Sequence, residues 1–277
     1  PQAGAVMAVH QRAEVRVWQR RSTPAQLLLW CGWLLLVVVT VFAWQLMTRE
    51  TLWVFVADAP QQAADIGARM WPPRWSYMER LWWPLWETLN IATLGTLLAL
   101  LVAVPTAFLA ARNTTPSVRL VRPLALLVIV TSRSINALIW GLLLVAIIGP
   151  GQLAGIFAIA LRSIGFIGKL LYEAIEEIDA GQVEAVAATG ASRAQVIDYA
   201  IVPQVAPALA GIVLFRWDIN IRESTILGLV GAGGIGLALE SSLNVLAWPQ
   251  VSLILLVILV TVLLSEWVSA RVRHALI

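Results

Sequence analysis

The chain has 277 residues, of which 60% are hydrophobic and 13% charged, with a mean hydropathy of +0.82 and a formal net charge of +3. That balance lies outside the soluble globular range, and a small positive charge carried beside apolar runs excludes a nucleic-acid patch. The single cysteine, Cys31, excludes an intrachain disulfide, and His10 and His274 sit too close to the ends for His-based metal binding or catalysis inside the apolar runs.

Several charge-free stretches exceed the roughly 18 residues needed to cross a bilayer, so the sequence predicts an all-α polytopic membrane protein with six transmembrane helices. Residues 1–25 form an arm carrying Arg12, Arg16, Arg20 and Arg21, expected in the cytoplasm. The chain begins with Pro1 rather than Met, so native residues are expected to precede it. The run 26–47 is too long for a signal-peptide core and no small-x-small site follows it, which predicts an uncleaved first span. Residues 48–85 are polar, end in Trp71, Trp75, Trp82 and Trp83, and are expected outside as an interfacial amphipathic segment.

Residues 86–277 read as the core domain, with spans two to six. Span two, 88–111, is interrupted gently by Pro105 and leads to a cytoplasmic loop with Arg112, Arg119 and Arg122. The Asn113-Thr-Thr sequon there would never meet a glycosyltransferase. Spans three and four, about 123–148 and 152–171, are divided by Gly149-Pro150-Gly151. Span five begins near Pro207, and the later part of 241–265 supplies span six, so both termini are expected in the cytoplasm.

Between spans four and five lies a polar stretch, about 173–206. Within it Gly190 follows Glu184-Ala185 by six residues, and Pro203 follows Gly190 by thirteen. Residues 182–189 suit a helix, Gly190 and Ala191 a turn, and Ser192 a cap for a second helix that Pro203 is expected to interrupt. On its own this is a helical loop between spans.

Gly231, Gly233, Gly234 and Gly236 formally match GxGxxG. A dinucleotide site would need a βαβ unit and an acid about 20 residues on, whereas 251–264 is purely apolar. The alternative is a gate-like break in the continuation of span five, where irregular backbone is tolerated only beside protein or water.

Arg133, Arg162 and Arg216 fall nine to eleven residues into their spans. At about 1.5 Å per residue each is expected about 15 Å deep in a core of about 30 Å. An arginine facing lipid there costs at least about 2.5–3.5 kcal/mol, so all three should face the bundle interior. Local pairing is available to Arg222 with Asp218 and to Arg216 with Glu223, but not to Arg133 or Arg162.

The Glu184/Gly190/Pro203 spacing resembles the EAA loop of ABC importer permeases. The segments VGAGGIG, SINALIWGLLLV, GPGQLAGIFAIAL, IGKLLYEAIEEID and FRWDINIRESTILG resemble the phosphonate-importer permeases, a likeness running from Trp75 to the end of the chain. It implies a type I ABC importer permease fold and a bacterial inner-membrane subunit moving phosphonate, phosphite, hypophosphite or phosphate. Glu184, Ala185, Gly190, Ala191, Ser192 and Pro203 would couple to an ATPase. Arg133, Asn136, Arg216 and Arg222 would line the oxyanion path, for which guanidinium forks are suited, and Arg162 would line it or be structural. The implied partners are a second copy, two ATPases that bind ATP and Mg, and a periplasmic binding protein, with no cofactor in this chain. No GxxxxGK[ST] occurs, so the chain is not expected to hydrolyse ATP. The competing readings are an ABC permease for another solute, a secondary transporter, which lacks an internal repeat here, and an intramembrane enzyme, which lacks a nucleophile and base.

Overall fold

The computed structural model describes residues 9–12, 15–18 and 23–276. The chain divides into two units, Pro1–Ala64 and Asp65–Ile277. Arg20 and Arg21 of the basic arm lie outside the described residues.

In the first unit β1 (Val9–Arg12) pairs antiparallel with β2 (Val15–Trp18), with Val9 opposite Trp18. This short hairpin is the one departure from the all-α expectation among the described residues. Helix α1 (Thr23–Thr48) matches the first span. It is apolar all round and none of its span is buried within the chain, the pattern of a helix meant for lipid or for a partner. Its hydroxyls find partners on the helix itself: Thr40 and Thr48 donate to the carbonyls of Leu36 and Trp44 at 2.8 and 2.7 Å.

Helix α2 (Trp53–Met70) follows, and a short 3₁₀ turn, Trp75–Tyr77, leads into α3 (Met78–Ala110). The expected external segment is therefore not one amphipathic helix, and span two starts at Met78 rather than Thr88. Leu81 explains the earlier start: it is 1% exposed, in a cluster with Ile235, Leu239 and Leu253. Helical backbone also runs unbroken through Pro84 and Pro105.

In the second unit α3 packs on α6 (Gln152–Glu176) along nearly its full length. Gly95, Ala99, Ala103 and Ala107 recur every fourth residue on α3, and Gly155, Ile159, Ser163, Ile167, Leu171 and Ile175 do so on α6. Every one of these is buried. Small residues let two backbones approach closely, which drives helix association where lipid is as apolar as leucine. A Cβ on Gly95 would sit 2.7 Å from Cγ2 of Ile159, so the glycine is a packing requirement.

Span three is not the single helix expected. It is two pieces, α4 (Val121–Ser134) and α5 (Ala137–Ile148), meeting at 88°. Ile135 and Asn136 have extended backbone, and the Asn136 side chain accepts from the Leu138 amide at 3.1 Å, capping α5. The expected break at Gly149-Pro150-Gly151 is present, with φ of 98° and 141° at its glycines.

Helix α7 (Ala180–Ala188) and α8 (Arg193–Val196) form the polar stretch, and a π-helical turn, Ile197–Ile201, joins α8 to α9 (Val202–Gly228). Pro203 therefore does not end the second helix, and span five begins well before Pro207. A proline has no N–H for the carbonyl four residues back and its ring crowds that carbonyl. The wider turn immediately before it changes the hydrogen-bond register and lets the chain continue. Helix α10 (Ile235–Asn244) and α11 (Trp248–Leu276) complete the chain, so span six starts at Trp248. Among the described residues five helices are long and apolar enough to cross a membrane, and α4 with α5 makes a sixth span if the bent pair is counted as one.

Candidate functional site

The α7–α8 loop stands proud of the bundle. Asp179 caps α7 by accepting from the Gly181 amide at 2.9 Å, and its own amide donates to Gln204 Oε1 of α9 at 3.0 Å. Gly190 has φ of 80°, a left-handed conformation that glycine adopts without strain, and open space lies around it. Ser192 forms a reciprocal capping box with Gln195. Glu184, Ala185, Gly190 and Ser192 are exposed, Ala191 is half-buried, and Pro203 is exposed. Val183 and Ile197 turn inward and pack on Leu171, Ile175, Ile201 and Val205, so the loop rests on the ends of α6 and α9.

Inside the bundle, charge is organised around Glu223. Its Oε1 accepts from Nε of Arg162 at 3.2 Å, and its Oε2 from an Nη of Arg216 at 2.9 Å. Arg216 is 2% exposed, donates from Nε to Ser163 at 2.9 Å, and lies 5.1 Å from the centre of the Phe166 ring. Asn220 then bonds Ser163 at 3.1 Å and Thr96 at 2.7 Å, which ties α9 to α6 and α3. The expected pairs Arg216–Glu223 and Arg222–Asp218 are present, the latter at 2.7 Å. Arg162, which has no sequence-local partner, is paired instead by Glu223 from another helix. Asp218 also accepts from Ser265 of α11 at 2.7 Å.

Arg133 and Asn136 sit at the α4–α5 bend and are exposed within the chain. Arg133 is thus in the last turn of a half-helix, not mid-way along a straight span facing the interior. It forms no ion pair among the described residues. The bend is held against α6 by Ser132, whose hydroxyl donates to the Leu161 carbonyl and accepts from the Gly165 amide at 2.7 Å.

The glycines form the loop between α9 and α10. Gly231, Gly233 and Gly234 have φ between 74° and 88°, and Gly236 packs against the Gly228 backbone. The Gly231 carbonyl accepts from the Gly151 amide at 2.9 Å, and the α10 N-terminus donates from Gly234 to Glu87 at 3.1 Å and from Ile235 to Thr88 at 2.8 Å. Among the described residues it is preceded by helix α9 and not by a strand, so the dinucleotide alternative has no structural support. Sequence reasoning missed Glu87, Thr88, Thr96, Ser163 and Asn220. The available signal was a polar residue isolated on an otherwise apolar helix face. No group of three His, Cys, Asp or Glu side chains placed to hold a metal occurs among the described residues.

A helical membrane bundle with a braced, exposed helix–Gly–helix loop and an interior charge cluster shared by α6 and α9 and tied to α3 through Asn220 and Thr96 defines a membrane transport component. The chain belongs to the binding-protein-dependent transport system inner membrane component family, whose model matches residues 103–274. It is 41% identical over 210 residues to the phosphite transport system permease protein PtxC of Stutzerimonas stutzeri, covering 76% of each chain. It is 44% identical over 220 residues to the phosphate-import permease protein PhnE of Mycolicibacterium smegmatis, covering 79% of this chain and 41% of that one. The inward-facing MetNI methionine ABC transporter superposes with a TM-score of 0.63 at 21% identity, covering 73% of this chain and 99% of the other, a likeness of fold alone.

Proposed function

We propose that this chain is the permease subunit of an ABC importer for a phosphorus oxyanion of the phosphite, phosphonate or phosphate class. The observation that carries the reading is the 41% identity to a phosphite permease across three quarters of both chains. The importer works as two copies of this permease, two ATPases that bind ATP and Mg, and a binding protein outside the bacterial inner membrane, with both termini in the cytoplasm.

The geometry supports a route for coupling. An ATPase bearing on Glu184, Ala185, Gly190, Ala191 and Ser192 moves α7 and α8. Val183, Ile197 and the Asp179–Gln204 bond pass that movement to α6 and α9. Pro203 and the π turn before it lie where the loop enters α9. Arg216 is so enclosed by Glu223, Ser163 and Phe166 that we assign it to an inter-helix latch rather than to the path, and Arg162 with it. Arg133, Asn136 and Arg222 remain the path candidates, being exposed in one copy and therefore available to a central path between two. The Gly231–Gly236 loop, held by Glu87, Thr88 and Gly151, acts as the outer gate.

The test is ATP-dependent uptake by proteoliposomes holding the permease, its ATPase and its binding protein. Phosphite, phosphate and methylphosphonate are offered separately. Uptake of at least one is expected. Uptake of none, with ATP-driven uptake of another solute, would overturn the substrate class.

A further inference from the structure

One cavity of about 310 Å³ opens between α4 and α6, and its polar lining is cationic: Arg133 and Ser134 from α4, Lys169 and Tyr172 from α6. Leu126, Ile129 and Val130 complete the wall. The size is at the low end for ligand pockets, roughly 300–1,000 Å³. It holds on the order of ten waters at roughly 30 Å³ each, room for a small tetrahedral anion with part of its hydration shell.

The helix contact beside the cavity is tight. A Cβ on Gly165 would lie 2.8 Å from the Arg133 amide nitrogen and from the Ser132 hydroxyl, so the two backbones almost touch there. Lys169 and Tyr172 follow on α6 one and two turns beyond that contact, towards the end carrying the α7–α8 loop. The groove is thus anchored at one end by a fixed backbone contact.

Charge gives the direction of the inference. Arg133 has no ion pair among the described residues. The titratable group facing Lys169 is Glu173, at 3.5 Å with both side chains well exposed, and the Tyr172 hydroxyl is also 3.5 Å from Glu173. Farther along, Arg122 and Glu176 pair with each other at 3.3 Å. One guanidinium and one ammonium against one carboxylate leave the groove net positive. A cation inside a membrane protein marks a site or a pathway and needs a counter-charge.

We propose that this groove is a binding site for a phosphate-type oxyanion, held by Arg133, Lys169 and Tyr172, with Glu173 as its competing intramolecular anion. Resting on the oxyanion-permease reading, it serves as the inward release site. Arg133 supplies a planar donor fork, Lys169 a point charge, and the Tyr172 hydroxyl a neutral donor in place of its long 3.5 Å bond to Glu173, whereas the Ser134 hydroxyl is committed to the Val130 carbonyl at 2.8 Å. Glu173 weakens the site and so favours release, since conduction needs binding that is readily reversed. The same chemistry would suit the phosphate of an anionic lipid headgroup, and the experiment separates the two sources.

The permease–ATPase complex is placed in phosphatidylcholine nanodiscs and titrated calorimetrically with phosphite and with inorganic phosphate. Lys169→Gln is expected to weaken binding about tenfold, as loss of a charge-assisted contact does, and Lys169→Arg to restore it. Glu173→Gln should tighten binding, an outcome that a purely structural role for the pair would not give. Arg69→Gln, in an exposed pair with Asp65, is the control and should change nothing. A parallel arm detects phosphatidylglycerol retained by the complex in native mass spectrometry; its loss in Lys169→Gln, with silent titrations, assigns the site to lipid. If neither free oxyanion nor lipid binding responds to Lys169→Gln, the site is wrong. Proteoliposome uptake by the unmodified complex separately tests the oxyanion-permease reading, so the two can fail independently.

Discussion

Arg162 on α6 and Glu223 on α9 meet at 3.2 Å across sixty-one residues of sequence. The same carboxylate holds Arg216 with its other oxygen, so one acid is shared by two guanidiniums. Removing one partner from a buried pair is far more costly than removing both, because the survivor is left desolvated. Glu223→Ala leaves two cations in the bundle and should destabilise by about 3 kcal/mol or more. Thermal unfolding of the purified complex measures it. Adding Arg216→Met to Glu223→Ala should recover part of the loss, and a strictly additive double variant would reject the latch.

The α4–α6 contact gives a second expectation. Gly165→Ala would drive its methyl into the Ile129 carbonyl and the Arg133 amide, both backbone atoms that no rotamer change can move aside. Overpacking of this kind costs about 1–3 kcal/mol. A lower melting temperature should come with altered oxyanion uptake, because α4 and Arg133 must shift. Wild-type melting and uptake would mean that the two helices separate freely there.

The Gly-Pro-Gly break and the loop around Gly190 were legible in the sequence because spacing alone carries them, whereas the small-residue ladder on α3 took its meaning only from the α6 backbone it packs on. The bend at Ile135 was not. Asn136 reads as one polar residue in an apolar run, and its capping of α5 depends on a break that hydropathy does not register. The form of the interruption at Pro203 was hidden for a related reason: it is a widened turn, Ile197–Ile201, and not a helix end, and hydropathy does not register such a change of hydrogen-bond register. Glu223 was legible as a partner for Arg216, seven residues away on the same helix. Its bond to Arg162 required knowing which faces of α6 and α9 meet. The isolated polar residues Thr96, Ser163 and Asn220 acquire meaning only when three helices bring them together.

Gly190→Val tests the coupling loop. A β-branched residue at φ of 80° is strained by about 1–3 kcal/mol, although nothing stands within 4 Å of the new side chain. The fault is therefore in the turn between α7 and α8 and not in the bundle. Assembly should survive, while stimulation of ATP hydrolysis by the loaded binding protein should be lost. A variant with full uptake and full stimulation would remove the loop from coupling.

The orientation is tested by labelling. Single cysteines at Gln62 and Val118, both exposed, in a Cys31→Ser background should differ in reactivity to an impermeant thiol reagent applied to intact cells. Gln62 should react and Val118 should not. Thr115, in the same loop as Val118, is 8% exposed and would be silent on either side. Equal labelling at Gln62 and Val118 would reverse or break the assigned topology.

Arg133→Gln separates a path residue from a structural one. Arg133 has no acidic partner among the described residues, so its removal orphans no carboxylate, and stability should stay within about 0.5 kcal/mol, as for a substitution that breaks no buried pair. Within the chain Asp218 is not its partner: that carboxylate is engaged by Arg222 and Ser265 at 2.7 Å each. Uptake should nevertheless fall, since glutamine keeps a donor but loses the charge that draws an oxyanion. Arg216→Gln provides the contrast. It strips Glu223 of a buried partner and should lower the melting temperature along with uptake. If Arg133→Gln transports normally, the residue does not line the path. If it instead unfolds the complex as Arg216→Gln should, Arg133 is paired across an interface with a second copy, and its exposure within one chain has a structural cause.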